Sequence, residues 1–122
     1  MTNEEKQLLL KDLCARLPYG VKIQRDNVYN ADKKVVETLD FRLIADNVEY
    51  DAIEGLNIKP YLRPMSSMTE EELQELNDVF YNCNTEYRIE AQDWLNAHHF
   101  DCRGLIEKGL ALEAPKGMYK TE

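Results

Sequence analysis

Between residues 9 and 17 the apolar positions are Leu9, Leu10, Leu13, Cys14 and Leu17. This three-to-four-residue spacing gathers one side of a helix. Thr2 and Glu5 stand ahead of it as T-x-x-E, a capping box in which each side chain reaches the other residue's backbone N–H. LPYG stops the helix, since Pro18 cannot extend the hydrogen bonding and Gly20 accepts a left-handed backbone. The period then changes to two. Val21 and Ile23 alternate with Lys22 and Gln24, a strand pattern, and DNVYNADKK reads as a polar loop. Leu39, Phe41, Leu43 and Ala45 alternate with Asp40, Arg42 and Asp46. Val48, Tyr50 and Ala52 alternate with Glu49 and Asp51. The break at Asp46–Asn47 suits a tight hairpin, because both residues tolerate positive φ. These runs predict a three-stranded antiparallel meander with one apolar and one charged face, Ile44 and Ile53 being exceptions on the latter.

The segment IEGLNIKPYLRPMSSM leads out of the sheet. Pro60 and Pro64 bracket Tyr61, Leu62 and Arg63, which predicts an extended or turned crossover with Leu62 in the core. Thr69 and Glu72 form a second capping box, and Met68 is placed to staple onto Leu73. Glu70, Glu71 and Glu72 occupy the first turn, where the helix dipole favours negative charge. Leu73, Leu76, Val79, Phe80 and Cys83 make the expected buried stripe, and NCN at 82–84 breaks the helix. A third helix is expected over 86–99, with Tyr87, Ala91, Trp94, Leu95 and His98 on one side. Asp101 then caps a short helix, CRGLIEK, which Gly109 ends before an extended LALEA. The fold class predicted is α+β: an N-terminal helix, a three-stranded antiparallel meander, two longer helices and a short C-terminal one. All lie in one domain, 1–122, with a frayed tail over about 116–122.

Composition changes this picture little. At 122 residues, 43% hydrophobic and 31% charged, the chain can bury a core without metal or disulfide staples. No apolar run reaches membrane-span length, and the N-terminus is acidic where a secretion signal would be basic, so a cytoplasmic protein is expected. Cys14, Cys83 and Cys102 are then expected to be reduced thiols. The net charge of −8 is uneven, for residues 65–100 carry eight acids against the single Arg88. That pattern argues against direct nucleic-acid binding, which needs a basic stripe, and against anionic membranes. It suits a solvated helix face or a docking surface for a basic partner.

The stretch DWLNAHHFDCRG concentrates the candidate chemistry. His98 stands four residues after Trp94 and stacks over it on a helix. It reads as a packed histidine donating one hydrogen bond, with His99 at the helix end. Zinc would need Cys83, His98, His99 and Cys102, but there is no C-x-x-C, and adjacent histidines on a helix point about 100° apart. No metal or cofactor is expected. Thiol catalysis by Cys83 or Cys102 needs an aligned base and an orienting carboxylate, and nothing in the spacing brings them together. Cys14 and Cys83 lie on apolar stripes, where cysteine behaves as a small hydrophobe. The chain has no glycine-rich phosphate loop, G-x-S-x-G or H-E-x-x-H. No catalytic residue is assigned, and an enzyme is the less favoured class. Tyr61 and Arg63, of types that anchor interfaces, and Trp94, His98, His99, Asp101 and Arg103 are the candidate binding residues. Trp94 is also expected to be a core keystone.

LPYGVKIQ, KPYLRPMSSMTEEE and DWLNAHHFD-x-RGLIEKGLALEAP together resemble a group of small proteins of gut Bacteroidales bacteria, their bacteriophages and mobile elements. The likeness runs from about Leu17 to about Tyr119. The group carries no assigned activity, and its position 102 is more often tyrosine, which makes Cys102 a departure. The resemblance implies a phage or mobile-element accessory factor. The expected function is a non-enzymatic protein-interaction module. The alternatives are a small-ligand-binding protein or enzyme with a pocket near Trp94, His98 and Arg103, and an acidic nucleic-acid mimic that uses residues 70–93 against a basic host protein.

Overall fold

The computed structural model describes residues 2–30, 32–42, 55–82 and 87–119. Helix α1 spans Asn3–Arg16, and both hydrogen bonds of the Thr2–Glu5 capping box are present. Leu17–Tyr19 tighten into a 3-10 turn, and Gly20 follows at φ +70°. The strands are β1 (Lys22–Asp26), β2 (Lys34–Thr38), β3 (Lys59–Leu62) and β4 (Leu112–Glu113). The longer helices are α2 (Glu70–Asn82) and α3 (Tyr87–Ala97). The chain is α+β, with a mixed four-stranded sheet in the order β2-β1-β3-β4. β1 pairs antiparallel with β2 and β3, while β3 pairs parallel with β4.

This differs from the expected meander. The strand that follows β1 is KVVET, whose first lysine was assigned to a loop. Its two adjacent valines carry strong β-propensity without a clean alternation, and so hide from a period-two search. Leu39 still joins the ladder through its N–H to the Val21 carbonyl, but Phe41 and Arg42 are helical rather than extended. The Asp46–Asn47 hairpin and the strand over 48–52 lie outside the described residues. The antiparallel partner on the other side of β1 is β3, from the proline-bracketed crossover. Proline inside a central strand is unusual because it donates no ladder bond. Here Pro60 stands opposite Ile23, and the β3–β4 register begins only at Tyr61, so no β4 residue lies opposite Pro60.

The core sits between the sheet and α1, built from Leu9, Leu13, Val21, Ile23, Leu39, Ile58, Leu62, Leu105, Leu110 and Ala111. α1 turns a different face inward than expected. Leu9, Asp12, Leu13 and Arg16 are buried, and Cys14 is exposed, so it is no core hydrophobe. α2 departs similarly. Leu73 is exposed, so no staple onto Met68 buries it, while Glu72 is buried and Leu76 and Val79 are half-buried. α3 ends at Ala97, with Ala91 and Asn96 buried. The expected helix CRGLIEK is instead a series of turns. Gly104 at φ +71° interrupts any helical run, and the Asp101 carboxylate accepts from Leu105 N (2.8 Å) and Ile106 N (3.0 Å). Gly109 does adopt the left-handed conformation, at φ +73°, and the extended piece beyond it is β4. No helix among the described residues is long and apolar enough to cross a membrane.

Candidate functional site

The residues singled out from the sequence converge where α3 ends beside β3. His99, at φ +65°, stops the helix and turns the chain alongside Arg63. Arg63 N donates to the His99 carbonyl (2.7 Å) and Asp101 N to the Arg63 carbonyl (2.8 Å), a parallel bridge that extends the sheet by one residue. Phe100 is thereby driven into the interior and is fully buried.

Arg63 lies with its guanidinium 4.2 Å from the Phe100 ring centroid. It grips Glu72 with two nitrogens, each at 2.7 Å. Glu72 also closes the second capping box, accepting from Thr69 N at 3.0 Å while Thr69 Oγ1 accepts from Glu72 N at 3.1 Å. One carboxylate thus starts α2 and ties it to β3. The paired Arg63 holds its pKa down at about 2, and Thr69 adds to this.

His98 and His99 go separate ways. His98 stacks on Trp94 at 3.9 Å and its Nδ1 lies 2.8 Å from the Trp94 carbonyl, the local hydrogen bond expected of a packed histidine. Trp94 is half-buried rather than a core keystone, and also stacks on Phe100 at 5.9 Å. His99 stacks on Tyr119 at 3.8 Å. Its pKa is depressed to about 4, first by burial and then by the positive charges of Arg16, His98 and Arg63. Within the stretch expected to fray, Tyr119 is anchored: its hydroxyl donates to the Tyr61 carbonyl (2.7 Å) and accepts from Lys22 N (2.8 Å). Lys22 and Tyr61 are the next positions after the Ile23–Pro60 pair, so the phenol replaces a rung of the β1–β3 ladder. Burial pushes its pKa up to about 12. Tyr61 accepts from Gln24 Nε2 at 3.0 Å across the same sheet surface.

A second cluster lies behind Phe100, and its helix α1 half was not read from the sequence. Asp12 and Arg16 are fully buried. Asp12 accepts from Arg16 Nε (2.8 Å) and from Arg103 Nη1 (2.6 Å). Arg16 Nη2 donates to the Phe100 carbonyl at 2.6 Å, and Arg103 Nη1 reaches Asn96 Oδ1 at 3.2 Å. The Cys102 sulfur accepts from Gln92 Nε2 at 2.8 Å. One spacing signal was available, for Asp12 and Arg16 flank Leu9 and Leu13 at helical intervals. Their polarity assigned them to solvent, which is the usual place for such residues.

Together these contacts make a knot that ties α1, α2, α3, β3 and the C-terminal segment. Tyr61, Arg63, Trp94, His98, His99, Asp101 and Arg103 all lie in or beside it, each with a partner inside the chain. Arg16 Nη1, Trp94 Nε1 and His99 Nδ1 are buried without a hydrogen-bonding partner in the protein, as polar atoms that meet internal water often are. Among the described residues no group of three or more His, Cys, Asp or Glu side chains could hold a metal ion. Cys83 lies outside them. A surface cleft of about 380 Å3 borders the knot, lined by Arg63, Ser67, Thr69, Glu113, Lys116 and Tyr119. Its guanidinium is committed to Glu72. No family model, curated protein or solved structure matches the chain.

The titrations fix how stability should depend on pH. Glu72 is depressed from 4.5 to about 2, so its contribution is complete above 4.5 and is lost as pH falls towards 2. It is at most about 3 kcal/mol, less whatever solvent screening removes at this partly exposed pair. His99 is depressed from 6.5 to about 4, so the unfolded chain binds its proton first and stability also falls between pH 6.5 and 4. Tyr119 acts at the other end, its contribution fading from pH 10 towards 12. Melting temperature should therefore be flat near pH 7–9 and fall on both sides. Glu72→Gln keeps the capping pattern and should erase the step between pH 4.5 and 2, as thermal unfolding across a pH series will show.

Proposed function

We propose that this chain is a non-enzymatic protein-interaction module. One observation carries the reading: the chemically conspicuous side chains pair within the knot, while large apolar side chains face solvent around β2. Tyr29 is 97% exposed, Val28 69%, Phe41 66% and Val36 51%. Val28 and Tyr29 form the tip between β1 and β2, and Phe41 follows β2. Exposed aromatic and apolar groups of this kind mark contact surfaces on otherwise polar domains. The role as a phage or mobile-element accessory rests on the resemblance in the sequence. A pocket at Trp94, His98 and Arg103 is less favoured, because Trp94 and His98 stack on one another and Arg103 is held by Asp12 and Asn96. A second reading, the acidic mimic, draws on α2, where Glu70, Glu71, Glu75 and Asp78 are exposed.

Affinity capture from a host lysate with the wild-type chain and with Tyr29→Ser tests the proposal. The substitution touches no buried contact, so the melting temperature should be unchanged while the captured protein is lost. A partner retained by Tyr29→Ser and released by high salt would favour the acidic surface instead.

A further inference from the structure

The two edges of the sheet are treated differently. β4 is two residues long and Pro115 follows soon after it, both common protections of an exposed edge. β2 is five residues long, and its register with β1 runs without a bulge from Lys22–Thr38 to Asp26–Lys34. Its hydrogen-bonding phase can be read from either end. Asn27 N donates to the Lys33 carbonyl and Leu39 N to the Val21 carbonyl. Because antiparallel bonding alternates along a strand, Val35 and Glu37 also direct their main-chain groups towards β1. Lys34, Val36 and Thr38 therefore direct theirs outward, and all three residues are exposed. Among the described residues no strand lies beyond them.

We propose that this edge pairs antiparallel with β2 of a second copy of the chain, centred on Val36, so that two four-stranded sheets become one continuous sheet. The phase permits it: with Val36 opposite its counterpart, Lys34 falls opposite Thr38, and every outward N–H and C=O meets a partner. The side chains permit it too. Val36 meets Val36, Lys34 meets Thr38 and Val35 meets Glu37, so no like charges stand face to face. The charge distribution favours this end of the molecule. Residues 21–42 hold five basic and four acidic side chains, whereas residues 65–100 hold eight acids and one base. Two copies of a chain of net charge −8 would repel one another elsewhere, but meet here at a nearly neutral surface. Antiparallel pairing also brings the tip of each copy towards the Phe41 end of the other. The inference deepens the interaction reading by naming what occupies one edge of that surface.

Sedimentation equilibrium of the full chain over a range of concentrations tests it. The wild type should sediment as a dimer at high concentration. Val36→Pro removes only an outward donor and leaves the β1 ladder intact. Val36→Lys puts two like charges at the axis on an already exposed position. Each should weaken dimerisation by more than about tenfold, with the helical circular dichroism unchanged. A wild type that stays monomeric at the highest concentration overturns the inference, as does a dimer that both variants preserve. A monomeric wild type that still captures a partner through Tyr29 overturns the self-pairing alone and leaves the interaction reading standing.

Discussion

Asp12→Ala should cost the domain about 3–5 kcal/mol, because it strips the anion from a buried ionic cluster. Arg16 is fully buried, and the Arg103 side chain is 14% exposed. Both guanidiniums point at the one Asp12 carboxylate, at 2.8 and 2.6 Å. Without it two buried or largely buried positive charges remain with no anion beside them. Small domains are stable by only about 5–15 kcal/mol, so the loss is a large share of the whole. Denaturant titration measures it, as a lower midpoint with unchanged slope. Asp12→Asn keeps an acceptor for one guanidinium and should fall between the wild type and Asp12→Ala.

Phe100→Ala should cost a similar amount, about 3–5 kcal/mol, by opening a cavity at a fully buried site. The substitution separates ring from backbone. The Phe100 carbonyl stays to accept from Arg16, and the Arg63 and His99 main-chain bonds stay in place. What is lost is the ring beneath the Arg63 guanidinium and beside the Trp94 indole. Trp94→Ala should cost less than Phe100→Ala, since the indole is half-buried. Thermal melts of the two variants side by side give the order.

Part of the fold is legible in the sequence because local rules decide it. Both capping boxes, the left-handed Gly109 and the stacking of His98 on Trp94 depend on residues within four positions of one another. β1 is legible from its alternation. The rest depends on distant partners. Lys59–Leu62 looks like a crossover because two prolines flank Tyr61 and Leu62, and only the β3–β4 register, which begins at Tyr61, shows why a central strand tolerates Pro60. Asp12 and Arg16 look like surface charges until Arg103, from the far end of the chain, comes to meet them. Glu72 was assigned to the helix start alone, because the Arg63 that draws it inward is nine residues away in another element. The types of the candidate binding residues are legible in the sequence, but the partners they meet, such as Glu72 for Arg63 and Tyr119 for His99, lie too far along the chain to be read.

We propose that the ionic cluster of Asp12, Arg16 and Arg103 is an internal packing element and not a working site, and that binding belongs to the surface around β2. The most direct test is the triple variant Asp12→Leu, Arg16→Met, Arg103→Met, which replaces the ionic cluster with apolar side chains and leaves no buried charge unpaired. Such replacements are often neutral or stabilising. The measurement is capture of the wild-type partner by this variant, with its melting temperature recorded alongside. The expected result is a folded protein that captures the partner as the wild type does. A variant that melts like the wild type and captures nothing would contradict the claim, and would make the knot the working site.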